Sequence, residues 1–331
     1  MGPGRGAVEA LVSARAALEG IGAGRLAQDG RRIVVTGAGG WLGLATLEML
    51  ADLLGEAFAE RVACFGARPR ALSLGAGVEI PQRAISELPQ LAPAPSVVLH
   101  LAFLTQGAAM TLDAEGYVAA NEALSATMLS ALDRIGAEAV FQASSGAAHL
   151  ADRAGGPQSK GLYGWLKLRD EEAFAAWAER RGACAVIGRV FNLSGPHINR
   201  RSTYALASFI GDALAARPVR IEARTPVWRS YVAIETLMSV VAGALTQGPG
   251  VTAFETAGQK VVEMGELAQV VAATLGAPGV ERPAFNPAGA PDRYVGEGAE
   301  FERLTGAFDV GQKSLEEQIR QTAAFIAEHP E

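Results

Sequence analysis

Tyr163 and Lys167, in the segment Tyr163-Gly164-Trp165-Leu166-Lys167, stand four residues apart and share one face of any helix that contains them. That spacing sets an ammonium beside a phenol. An ordinary phenol titrates near about 10, and lowering that value by about three units takes roughly 4 kcal/mol of preferential stabilisation of the phenolate, which a neighbouring cation can supply. A phenol tuned in this way moves a proton to or from a carbinol oxygen. With five tyrosines and four lysines in the chain, chance supplies only about 0.06 such pairs, so coincidence is a weak rival. The plain alternative is a surface i,i+4 contact. Upstream, Phe141-Gln142-Ala143-Ser144-Ser145-Gly146 closes an apolar run with two hydroxyls. A serine at the C-terminal end of a strand points into the crevice where open α/β sheets bind ligands, so Ser145 can hold the reacting oxygen while Tyr163 moves its proton.

A second motif lies near the start of the chain. Ile33-Val34-Val35-Thr36-Gly37-Ala38-Gly39-Gly40-Trp41-Leu42-Gly43 reads as a strand, a tight turn and a helix start. Gly37, Gly40 and Gly43 have the spacing that lets a backbone turn sharply, approach a pyrophosphate and pack helix on sheet. The helix N-terminus, with Trp41 and Leu42 in its first turn, then offers free N–H groups and a positive dipole end to phosphates. An acid that reads the ribose is expected about 20 residues further on. The second strand ends instead in Cys64-Phe65-Gly66-Ala67-Arg68-Pro69-Arg70, with no carboxylate. Arg68, with Arg70 as a second candidate, suits a 2′-phosphate by charge-assisted hydrogen bonds. This leans toward NADP and leaves NAD open, and the bland alternative is a pair of solvated loop arginines.

The elements that must position these residues follow from periodicity. Strand-like runs at Ile33–Thr36, Val62–Phe65, Val97–Leu101, Ala139–Ala143 and Ala185–Val190 alternate with helical patterns at Gly43–Leu54, Ala114–Ile135 and Tyr163–Arg181. The reading is a doubly wound α/β fold of Rossmann type, a parallel sheet covered by helices, with a smaller C-terminal α/β lobe. After Asn192, frequent prolines break the chain into shorter elements. The expected division is an extension over 1–29, a dinucleotide-binding domain over 30–190 rejoined by about 226–250, and a substrate lobe from 191–225 and 251–331. A surface helix at Ser314–Glu328 closes the chain, with Leu315, Ile319, Thr322 and Ile326 on one face.

Composition excludes several classes. Of the 331 residues 49% are apolar and 19% charged, ample for a core and unlike a disordered chain. The net charge of −6 and scattered arginines argue against nucleic acid as a partner. Cys64 and Cys184 stand alone and the four histidines are dispersed, so no metal site is expected. Neither the Met1–Gly6 start nor any run of about 18 apolar residues suggests export or a membrane span, and a cytoplasmic location is expected.

Taken in order along the chain, these residues resemble the extended short-chain dehydrogenase/reductase family, the group of nucleotide-sugar epimerases, dehydratases and reductases. Thr36–Gly43 looks like its nucleotide turn, and His100-Leu101-Ala102 like its His-Leu-Ala strand end. Asn121 falls where the family has a helix asparagine, and Ser145, Tyr163 and Lys167 fit its catalytic positions. Arg189-Val190-Phe191-Asn192-Leu193-Ser194-Gly195-Pro196 resembles its Arg-Phe-Asn-Val-Tyr-Gly-Pro segment, and Arg229-Ser230-Tyr231-Val232 its later Arg-Asp-Phe-Val element. The resemblance implies a cofactor site built from Gly37, Gly40, Trp41, Leu42, Gly43, Arg68, Leu101, Ala102, Asn121, Tyr163, Lys167 and Arg189. It also implies that Ser145, Asn192 and Arg229 face a nucleotide-sugar substrate, Arg229 offering a fork of donors to a diphosphate. Many relatives pair two helices into a four-helix dimer interface. Here Leu124, Met128, Leu129 and Leu132 on one helix and Leu166, Phe174 and Trp177 on the other would permit it, or would serve as core.

Departures from the pattern narrow the chemistry. Ser145 is followed by Gly146-Ala147 rather than the Asp-Glu pair of 4,6-dehydratases, which disfavours dehydration. His149-Leu150 replaces the usual Tyr-Gly, Pro287 falls where many relatives have an arginine, and residues 1–29 have no counterpart and could form a docking helix. The leading expectation is an epimerase or keto-sugar reductase acting by hydride transfer. Its rivals are a reductase of a small free carbonyl compound and a catalytically silent dinucleotide-binding protein.

Overall fold

The computed structural model describes residues 14–105, 112–152, 154 and 159–330. After α1 (Gly20–Gln28) comes β1 (Arg32–Thr36), whose Ile33, Val34 and Val35 are fully buried, as a strand covered on both faces requires. The glycine turn leads into α2 (Trp41–Leu54), followed by β2 (Val62–Gly66), β3 (Arg70–Ser73), β4 (Glu79–Ala84) and β5 (Ser96–His100). Next are α3 (Ala114–Arg134), β6 (Ala137–Ser145), α4 (Lys160–Arg181) and β7 (Cys184–Val190). The helix α4 begins ahead of Tyr163 because the Ser159 hydroxyl caps it, accepting from the Leu162 N–H at 3.0 Å.

Shorter elements follow: β8 (Leu193–Ser194), α5 (Ala205–Leu214), β9 (Val219–Arg220), β10 (Val227–Arg229), β11 (Val232–Ala233), α6 (Ile234–Leu245) and β12 (Gly250–Glu255). The chain closes with β13 (Val262–Glu263), α7 (Met264–Leu275), β14 (Val280–Glu281), β15 (Asp292–Tyr294), α8 (Ala299–Ala307) and α9 (Leu315–Glu328).

One sheet of eight strands, in the order β12-β7-β6-β5-β1-β2-β4-β3, organises the molecule, parallel except for β3 against β4. The chain lays β2, β4 and β3 on one side of β1, then crosses to build β5, β6 and β7 on the other. That reversal opens a crevice at the C-terminal ends of β1 and β5. There the Thr36 hydroxyl and His100 Nδ1 lie 2.8 Å apart. Burial, with the charge of Lys167 adding to it, pushes the His100 imidazole down to about 3 and keeps it neutral.

One expectation about organisation is corrected. The span 251–331 does not belong wholly to the second lobe, because β12 pairs along β7 as the outer strand of the main sheet and the Phe301 ring of α8 packs 5.4 Å from Phe254. The lobe has its own apolar core, in which α5, α7 and α9 contribute Leu206, Ile210, Leu267, Val271 and Ile319. Of the residues for which a dimer face and a core role were both open, Met128, Leu132, Phe174 and Trp177 are fully buried within one chain, and Leu166 nearly so. They serve as intramolecular core, one of those two roles, while Leu124 and Leu129 are half-buried.

Of the 1–29 extension, α1 docks on α6 so closely that a Cβ at Gly22 would lie 2.3 Å from the Gly243 backbone. Residues 1–13, including Met1–Gly6, lie outside the described residues. Among the described residues, no helix is long and apolar enough to cross a membrane.

Candidate functional site

A cleft of about 780 Å³ lies over the strand ends and reaches from the glycine turn to the second lobe. Gly37, Gly40, Trp41, Leu42 and Gly43 line it at one end, with Arg68, Leu101 and Ala102 beside them. Ser145, Tyr163, Lys167, Asn192 and Arg229 line the rest. Gly37 has φ +69, and a Cβ there would lie 2.7 Å from the Ala102 nitrogen. Only glycine lets the end of β1 pass this close to the segment after β5. Trp41, Leu42 and Gly43 open α2, and the N–H groups of a first helical turn have no intrahelical partner. Glycine backbone and free amides in a long cleft fit the phosphates of a dinucleotide.

The phenol, hydroxyl and amine meet at the centre. The Tyr163 side chain stands beside Ser145, at the end of β6, in the wall of the same cleft. Close approach of α4 to the turn after β6 makes this possible, since a Cβ at Gly164 would sit 1.9 Å from the Ala147 carbonyl oxygen. The Phe103 ring meets Tyr163 edge-on at 5.3 Å between centroids. Lys167, one turn along, is buried; its Nζ donates to the Ala143 carbonyl at 2.7 Å and stands 3.8 Å from the Phe103 ring centroid and 5.9 Å from that of Tyr163.

The electrostatics run against the simple expectation of a lowered phenol. Burial pushes Tyr163 above its ordinary value, and the nearby Ser145 hydroxyl only partly offsets this. Burial likewise pushes Lys167 down to about 8, against the pull of Asp170 and Glu171. The ammonium is near the phenol, but its hydrogen bond goes to backbone.

Two expected cofactor residues do not line the cleft. Asn121 accepts the Leu104 N–H at 3.0 Å and donates to the Tyr117 carbonyl at 3.1 Å, so it braces the chain beyond Ala102. The Arg189 guanidinium is held by Glu171 at 2.8 Å and Glu255 at 3.3 Å, and these two partners raise its pKa further. Glu171 also receives the Ser144 hydroxyl, and Glu255 meets His149 Nε2 at 2.5 Å. His149 thereby joins a charged network behind Ser145.

On the substrate side, Asn192 donates to the carbonyls of Ser230 and Tyr294, both at 3.2 Å, and ties the lobe to the sheet. Arg229 pairs with Asp292 at 2.8 Å, which holds that carboxyl below its usual range. Sequence reasoning missed Tyr294, whose hydroxyl lies 3.1 Å from the Ser145 hydroxyl. It sits on β15, which the sequence conceals: three residues in a proline-rich stretch, ordered by pairing with β10.

A family model described as the NAD dependent epimerase/dehydratase family matches residues 33–255. Among curated protein sequences, none matches the chain. Solved structures similar to it include a UDP-N-acetylglucosamine 4-epimerase from Methanobrevibacter ruminantium M1 in complex with UDP-N-acetylmuramic acid. The two are 18% identical, with a TM-score of 0.69 over 90% of this chain and 98% of that one. A UDP-glucose 4-epimerase from Thermus thermophilus, in complex with NAD, is 21% identical, with a TM-score of 0.65 over 90% and 99% of the two chains. An NAD-dependent NDP-hexosamine 5,6-dehydratase involved in tunicamycin biosynthesis is 19% identical, with a TM-score of 0.66 over 90% and 98%.

Proposed function

This chain belongs to the NAD dependent epimerase/dehydratase family, and from that membership we propose that it interconverts epimers of a nucleotide-linked sugar by reversible oxidation of one secondary hydroxyl. The observation that carries this reading is the meeting of Ser145 and Tyr163 in the wall of the cleft, with Lys167 fixed one helical turn away. A nicotinamide dinucleotide, when bound, supplies a reversible hydride acceptor. The glycine turn, Leu101, Ala102 and Lys167 would hold it.

Ser145 holds the sugar oxygen, and Tyr163 takes its proton as the alcohol becomes a carbonyl and returns it on the opposite course. At neutral pH the buried phenol is protonated, the form that gives a proton back to a carbonyl oxygen. The oxidative direction draws on the charge of Lys167 to make the phenol an acceptor. Asn192 and Arg229, with the lobe built on α5, α7 and α9, face the nucleotide. Gly146-Ala147 after Ser145 leaves no acid or base there for removing water.

Arg68 lines the cleft with an exposed side chain, which favours a second reading, a keto-sugar reductase that consumes NADPH. Incubation with UDP-, TDP-, GDP- and CDP-hexoses, read by proton NMR of the sugar and by absorbance of the reduced nicotinamide, separates the two. An epimer mixture without net nicotinamide change is expected. Stoichiometric NADPH oxidation would install the reductase instead. Failure of UDP, TDP, GDP and CDP all to bind in calorimetry would remove the nucleotide-sugar substrate and leave a small free carbonyl compound.

A further inference from the structure

We infer that Gln82 on β4 takes the place of the carboxylate missing from the end of β2 and accepts a hydrogen bond from the adenosine ribose 2′-hydroxyl, so that the site selects NAD over NADP. The inference rests on the proposed dinucleotide-dependent function.

The last residue of β2 is Gly66, and β4 lies alongside with Cys64 paired to Gln82. A Cβ built on Gly66 would lie 2.4 Å from the Gln82 side-chain carbonyl carbon and 2.5 Å from both its nitrogen and its oxygen. The amide of Gln82 thus occupies the space that the side chain of residue 66 would fill. Gln82 is 5% exposed, and its Nε2 donates to the Arg68 carbonyl at 2.7 Å. That bond fixes which way the amide faces, because a flipped amide would set two acceptor oxygens against each other.

The orientation leaves Oε1 buried with no hydrogen-bond partner among the described residues. Gly39, Gly66 and Gln82 all line the cleft, and a Cβ at Gly39 would lie 3.1 Å from Oε1, so this acceptor sits against the glycine turn. A buried acceptor without a partner is costly, and a donor arriving with a ligand removes the cost. A ribose 2′-hydroxyl is such a donor. A 2′-phosphate brings negative charge and acceptor oxygens to the same point and leaves Oε1 unmatched. Arg70, which could answer the phosphate, donates to the Gly39 carbonyl at 3.1 Å and would have to leave it. Arg68 remains the one side chain of the pair with no such tie to the turn, and the test weighs it directly against Gln82.

The experiment is isothermal titration of the purified protein with NAD, NADP and 2′-deoxy-NAD, in which hydrogen replaces the adenosine 2′-hydroxyl, repeated on Gln82→Leu. The wild type should bind NAD about tenfold or more tightly than either NADP or the deoxy analogue. In Gln82→Leu, NAD and 2′-deoxy-NAD should bind alike. Equal wild-type affinity for NAD and its deoxy analogue, or tighter binding of NADP, overturns the inference and leaves the proposed function standing. Binding of none of the three overturns both. Should the variant fail to fold, the wild-type comparison of the three ligands decides alone.

Discussion

Two opposed effects meet at Tyr163 and Lys167. Burial disfavours charge on both, and the surroundings compensate each unequally: the Ser145 hydroxyl offsets only part of the burial of the phenol, while the ammonium is satisfied by the Ala143 carbonyl and the Phe103 face. A buried lysine with its pKa near 8 has a definite stability signature. Between about 8 and its unfolded value near 10.5, the unfolded chain holds the proton and the folded one does not, so the contribution of Lys167 to stability rises with pH through that window. Its full penalty, on the order of 3 kcal/mol, applies below about pH 8. Denaturant unfolding from pH 7 to 10.5 should therefore show wild type gaining on Lys167→Met, with the variant at its greatest relative advantage at pH 7. Parallel profiles would mean that the ammonium pays no such cost. The pairing of Tyr163 with Lys167 was legible because i,i+4 spacing is a local property of a helix. The direction of the phenol's shift was not, because it depends on how deeply Phe103 and the strand ends bury the ring.

At the scale of elements, the site exists because α4 presses on the turn after β6 and because β1 and β5 part at their C-terminal ends. Gly164 is what permits the first. Gly164→Ala would drive a methyl into the Ala147 carbonyl, and overpacking of this kind costs about 1–3 kcal/mol. Thermal unfolding should register that loss, and turnover should fall further than stability alone explains, since the placement of Tyr163 beside Ser145 depends on the same contact. At the parting of β1 and β5, His100 is held neutral, down to about 3. Its folded pKa lies below the unfolded value of about 6.5, so its contribution to stability is complete above about 6.5 and is lost as pH falls from there toward 3. The acid limb of the stability profile should shrink by several kcal/mol in His100→Asn; an unchanged limb would exclude His100 as its source. The buried strands were readable as continuous apolar runs, but β3 and β4 were not. They lie at the sheet edge with half their residues facing water, so no such run marks them, and Gln82 was hidden with them.

For the whole molecule, the order of motifs along the chain gave the parallel sheet, its crevice and most of the cleft lining, because each motif is local and the doubly wound topology then dictates where its residues meet. What the order could not give were contacts between distant segments. Tyr294 reaches Ser145 across 149 positions, Arg189 is drawn off by Glu171 and Glu255, and β12 joins the main sheet after a long excursion. Trp41 shows the same economy of placement, opening α2 at the glycine turn while its indole donates to the Pro196 carbonyl at 2.8 Å and links the two lobes. The central claim is that one phenol, set beside Ser145 in this cleft, moves the proton of a sugar hydroxyl. Its most direct test is the turnover of Tyr163→Phe on whichever nucleotide-sugar the wild type converts, with dinucleotide binding measured alongside by calorimetry. Loss of the proton donor should lower kcat by about 10²–10⁴-fold while dinucleotide affinity stays within about twofold. Wild-type kcat in a variant that still binds the dinucleotide would contradict the claim.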